Sequence, residues 1–111
     1  MPDSRTLILA GLLVPALVGA QAPSQAPDVR ALMLKARALQ LRGGGSDPEG
    51  AAVLYRKVVA LVPQSAEAHL RLSEALQESR DLDGALTEAR KAVDLAPQNG
   101  EARAHLALLE V

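Results

Sequence analysis

The chain has 111 residues, enough for one small domain. Hydrophobic residues make up 49% of it, yet Tyr55 is the single aromatic side chain; this leaves no stacking platform for nucleic acid and favours an all-α chain over a β-sandwich. A net charge of -1 and the lack of cysteine remove steering toward nucleic acid or acidic lipid, and exclude disulfides, thiolate metal sites and a cysteine nucleophile.

The N-terminus reads as a secretory signal. Arg5 and the free amine precede an apolar run from Leu7 to Val18, and Val18-Gly19-Ala20 places short residues before Gln21, as a signal peptidase requires. A second reading stays open. Extended to Ala22, the run approaches the lower limit of about 17 residues for a bilayer span, so residues 7–22 would anchor the chain if they were retained. Residues 21–27 (QAPSQAP) form a polar, proline-bearing linker.

Residues 28–111 read as helical throughout. Asp28 is placed to cap a first helix from about Val29 to Arg42, with Ala31, Leu34, Ala38 and Leu41 along one stripe. Gly43-Gly44-Gly45 stops it, since glycine costs about 1 kcal/mol in a helix interior. Asp47-Pro48 opens a second helix, with Asp at the cap and Pro where no N–H is needed. Ala51, Tyr55, Val58 and Val62 face inward on it, and Pro63 ends it. Ser65 caps a third helix over Ala66 to Glu78, burying His69, Leu72, Ala75 and Leu76. After a tight turn at Arg80-Asp81, a fourth helix runs from Leu82 to Ala96 and buries Ala85, Leu86, Ala89, Ala92 and Val93. Gln98-Asn99-Gly100 turns the chain into a last helix over Glu101 to Val111.

A repeat runs through these elements. Ala85, Ala89, Ala92 and Pro97 each lie 34 residues after Ala51, Tyr55, Val58 and Pro63, and Leu106 lies 34 after Leu72. That period, with His69, Leu72, Ser73 and Leu76 ahead of the Ala-x3-Ala…Pro segment, resembles the tetratricopeptide repeat family. The repeats are read as about 28–63, 64–97 and a half-repeat over 98–111. In the first of them strict register puts Lys35, Ala38 and Arg42 at the aromatic, leucine and tyrosine places, and its longer glycine-rich turn gives slight Sel-like character.

The resemblance implies antiparallel hairpins stacked as a short right-handed solenoid, with repeat packing at Ala51, Tyr55, Val58, Pro63, His69, Leu72, Leu76, Ala85, Ala89, Ala92, Pro97 and Leu106. It also implies a concave groove formed by the first helix of each repeat. Glu67, Leu70, Glu74, Gln77, Glu78, Glu101, Ala104 and Leu108 would line it and favour a basic or amphipathic partner segment. The family's carboxylate clamp is not matched, because Leu70 and Glu74 stand where lysine and asparagine are used. A plain solvated face is the alternative for these glutamates, helped by Glu67 and Arg71 at i, i+4. Leu106, Leu108 and Leu109 either pack inward or meet a partner or a second copy, so a homo-oligomer stays open.

No reaction chemistry assembles. His69 and His105 lack the helical partner a zinc site needs, and His69 reads as packed while His105 leans toward solvent. Ser24, Ser46, Ser65, Ser73 and Ser79 have no nucleophile-elbow context. The three glycines lack the Gly-Lys-Ser/Thr of a phosphate loop, and Asp81 with Asp83 lacks the remaining oxygen ligands of a calcium loop. The expectation is a non-enzymatic, exported adaptor in an envelope assembly, without cofactor or metal. A membrane-anchored accessory subunit and a self-associating structural module are its alternatives.

Overall fold

The computed structural model describes residues 28–42 and 45–111. The expected signal or anchor and the linker, residues 1–27, lie outside that range, as do Gly43 and Gly44. Five helices are present, and the described residues contain no strand: α1 (Val29–Leu41), α2 (Pro48–Leu61), α3 (Ala66–Glu78), α4 (Leu82–Leu95) and α5 (Gly100–Leu109). Each packs chiefly on its neighbours in sequence.

Local chemistry sets the starts. The carboxylate of Asp28 accepts from the Arg30 N–H at 3.0 Å, that of Asp47 from Gly50 at 2.8 Å and that of Asp81 from Gly84 at 2.9 Å; Ser65 Oγ accepts from Ala68 at 3.1 Å. All four caps match expectation. Asn99, read only as a turn residue, is a fifth cap and accepts from Glu101 and Ala102 at 2.9 and 3.1 Å. Its helix therefore begins one residue early, at Gly100.

The α3–α4 turn closes with the Asp81 N–H on the Leu76 carbonyl and the Arg80 N–H on that of Gln77. Arg80 then sits at φ 73°, the left-handed position usually given to glycine. Pro63 and Pro97 are exposed, which corrects their expected place in the packing. They follow the ends of α2 and α4, where proline cannot extend a helix.

Alanine dominates the core. Ala36, Ala51, Ala52, Tyr55, Leu72, Ala75, Leu76 and Ala85 form the main cluster, with Met33, Leu39, Leu54, Val59 and Leu109 packed on it. Leu70, Ala92 and Ala102 form a second cluster with Val93. Val58 and Ala89 are also fully buried, while Val62, Leu86, Val93 and Leu106 are half-buried.

Helix α1 corrects the expected stripe. Ala31, Leu34, Ala38 and Leu41 are all exposed, and Ala36 is its one buried residue. The cause lies in loop length. Six residues, Arg42 to Asp47, join α1 to α2, whereas three, Ser79 to Asp81, join α3 to α4. The first helix is therefore offset from α3 by 37 residues and not 34, which aligns Ala36 with Ser73 and Leu39 with Leu76. Ala31, Lys35 and Ala38 then correspond to Ala68, Leu72 and Ala75, the face with which α3 packs on the hairpin before it. Among the described residues, α1 has no earlier hairpin to cover that face.

Candidate functional site

Helices α1, α3 and α5 share one face. A depression of about 330 Å³ is lined by Arg37, Gln40 and Leu41 from α1, Glu74, Gln77 and Glu78 from α3, and His105 from α5. Arg37 continues into a second, of about 210 Å³, with Met33, Leu34, Tyr55, Glu67 and Arg71. Val29, Arg30, Met33, Leu34 and Glu67 line a third, of about 490 Å³. Shared residues join the three into one trough along α1 and α3. By the 37-residue offset, Arg30, Arg37, Gln40 and Leu41 are the α1 counterparts of Glu67, Glu74, Gln77 and Glu78.

A polar network holds the floor. The Tyr55 hydroxyl donates to Gln40 Oε1 at 2.9 Å, and Gln40 Nε2 donates to Glu78 Oε1 at 2.9 Å, so α2, α1 and α3 are tied in series. Burial raises the Tyr55 pKa above its ordinary value, which keeps this phenol a neutral donor. Arg71 reaches Glu74 at 3.0 Å and Glu101 at 3.1 Å, joining α3 to α5, with Glu67 farther off at 3.9 Å.

The expected groove residues divide. Glu67, Gln77, Glu78, Glu101, Ala104 and Leu108 are exposed, and Glu74 is half-buried. Leu70 is only 1% exposed and offers the groove no surface. It packs with Ala92 and Ala102, because α5 closes over that side of α3. The trough's α1 wall was missed. Its signal in the sequence was the loop length, since counting the glycines as an insertion brings Arg30, Arg37 and Leu41 into register with the α3 residues.

Both histidines bridge helices. His69 is buried, with Nδ1 2.6 Å from Glu88 Oε1 and Nε2 2.8 Å from the Pro63 carbonyl oxygen. His105, expected to lean toward solvent, is half-buried and lies 2.8 Å by Nε2 from Ser73 Oγ. Ser73 gives its single hydroxyl hydrogen to the Ala85 carbonyl at 2.6 Å, so Nε2 of His105 is the donor to Ser73. Burial holds the His105 imidazole below its ordinary pKa; Arg71 pushes the same way, and Glu74 and Glu101 oppose.

A serine and a histidine in contact raise the question of a nucleophile. Ser73 is 0% exposed and its proton is committed to a carbonyl, so this pair is a structural link between α5, α3 and α4. Among the described residues, no group of three metal-ligating side chains converges, and no helix is long and apolar enough to cross a membrane.

Hairpins stacked in series around an alanine core, with one face formed by every other helix, define a helical-repeat scaffold. The sequence profile described as tetratricopeptide repeat matches residues 45–109, and the chain belongs to that family. Proteins built on this repeat are protein-interaction scaffolds. No curated protein matches the chain.

Proposed function

We propose that the protein is an exported adaptor that holds a peptide or helix of a partner protein in the α1–α3–α5 trough, within an envelope assembly. One observation carries the groove reading. Leu34 and Leu41 line the trough itself and are 64% and 67% exposed, where polar side chains would avoid the cost of wetting. Export is supported by the order of a basic start, an apolar run and a short-residue cleavage site in residues 1–20.

The partner test uses Leu41→Lys with Gln77→Lys, two exposed residues of the trough outside its hydrogen-bond network, in cells of the native source. Recovery of a specific crosslinked partner should fall while the helical circular dichroism stays unchanged. Unaltered recovery of every partner would remove the groove reading. For export, fractionation with N-terminal sequencing should find a chain starting at Gln21 outside the cytoplasm. A chain that keeps Met1 in the membrane fraction would instead make the protein a tethered accessory subunit.

A further inference from the structure

The chemistry of the groove's occupant can be taken further; this inference rests on the groove reading above. Helix α1 carries three basic residues and no acidic one, and two of them, Arg30 and Arg37, correspond to the glutamates Glu67 and Glu74 on α3. Arg30 and Glu67 share the depression at one end of the trough, and Arg37 shares the one at the other end with Glu74 and Glu78. The same polarity holds at larger scale. Residues 28–63 hold six Lys/Arg against three Asp/Glu, and residues 64–111 hold five against nine. Arg71 absorbs part of the acidic charge through Glu74 and Glu101, and the α1 arginines take no part in that network.

The trough therefore has an α1 wall, on which Arg30 and Arg37 alternate with Leu34 and Leu41 along one ridge, and an acidic α3 wall. Leu34 and Leu41 stand two helical turns apart, about 10.5 Å along α1, which matches residues i and i+7 of a helix lying beside it. We propose that the trough selects an amphipathic helix whose apolar stripe seats on Leu34 and Leu41 and whose two flanks carry opposite charge. Its acidic flank faces Arg30 and Arg37, and its basic flank faces Glu74 and Glu78. A uniformly basic segment, which the acidic residues alone would favour, is repelled by α1. Like charges juxtaposed across an interface are penalised, so the two walls set both the choice of partner and its rotational setting.

Three labelled synthetic helices test this against the full chain by fluorescence anisotropy. All carry the same leucine stripe; one has a glutamate flank and a lysine flank, one has lysine on both, and one has glutamate on both. The mixed peptide should bind about ten-fold more tightly than either uniform one. Arg30→Glu with Arg37→Glu should transfer the preference to the all-lysine peptide, and raising the salt to about 0.5 M should flatten the ranking. Equal binding of the mixed and all-lysine peptides, unchanged in the arginine variant, would overturn the two-walled groove and leave the groove itself standing. Failure of every peptide to bind, or binding unaffected by Leu34→Gln with Leu41→Gln, would overturn both.

Discussion

The two complete hairpins carry the same second helix but differ in the first. α2 and α4 repeat at 34 residues, and Ala51, Tyr55 and Val58 match Ala85, Ala89 and Ala92 in burial. α3 buries seven residues, from Ala68 to Leu76, because it is enclosed by α2, α4 and α5. α1 buries Ala36 alone. A helix in the middle of a stack is specified by packing on several sides. A helix at the edge keeps most of its surface for solvent, and in α1 that surface includes two leucines and two arginines of the groove.

The largest effect should come from filling the centre. Ala85→Trp places an indole where the alanine is fully buried beside Ser73, and overpacking costs about 1–3 kcal/mol or somewhat more. In a domain this small, thermal circular dichroism should show the cooperative transition lost. Ala38→Trp, on the exposed face of α1, should leave the melting curve nearly unchanged. Equal losses from the two would erase the contrast between edge and centre.

Ser73→Ala comes next. It removes the link from His105 to the Ala85 carbonyl, and a buried hydrogen-bonding group left without its partner costs about 1–3 kcal/mol. Denaturant unfolding measures it, and an unchanged midpoint would show that α5 docks without this link. Hairpin one already has alanine at this place, Ala36, and Arg71, the α3 residue 34 before His105, pairs instead with Glu74 and Glu101.

Arg80→Gly should act in the opposite direction. A non-glycine residue in the left-handed region costs about 1 kcal/mol, so relief at φ 73° should raise the melting temperature by about 4–8 °C. A lower melting temperature would mean that the Arg80 side chain contributes more than its backbone costs.

The smallest effect is the pH dependence of α5. The folded pKa of His105 is lowered by burial, so the unfolded chain binds the proton more readily. The stability contributed is fully present above the unfolded value of about 6.5 and is lost as pH falls through that value toward the folded one. Melting the chain and His105→Gln in parallel from about pH 7.5 to 5.5 should show the wild type losing more. Parallel losses would remove His105 from the account.

Most of the fold was legible because the turns after α2 are short, three or four residues each. The capping residues Asp47, Ser65 and Asp81, together with the small residues at 85, 89 and 92, state where each helix begins and which side it buries. α1 was misread because a period carried across a glycine run assumes a loop length that the run does not keep. Leu70 was misplaced for a different reason. It lies close to the groove positions on α3, and only the approach of Ala102 on α5 decides that it is covered. The role of His105 depends on a hydrogen bond across 32 residues, which no local pattern announces.

The claim that this protein works through the face shared by α1, α3 and α5 is tested most directly by where a bound partner touches it. A photocrosslinking amino acid placed at Gln77, in the trough, should capture a partner, and the same residue at Thr87, exposed on α4, should not. Capture from Thr87 with none from Gln77 would place the working surface on the other side of the molecule and contradict the account.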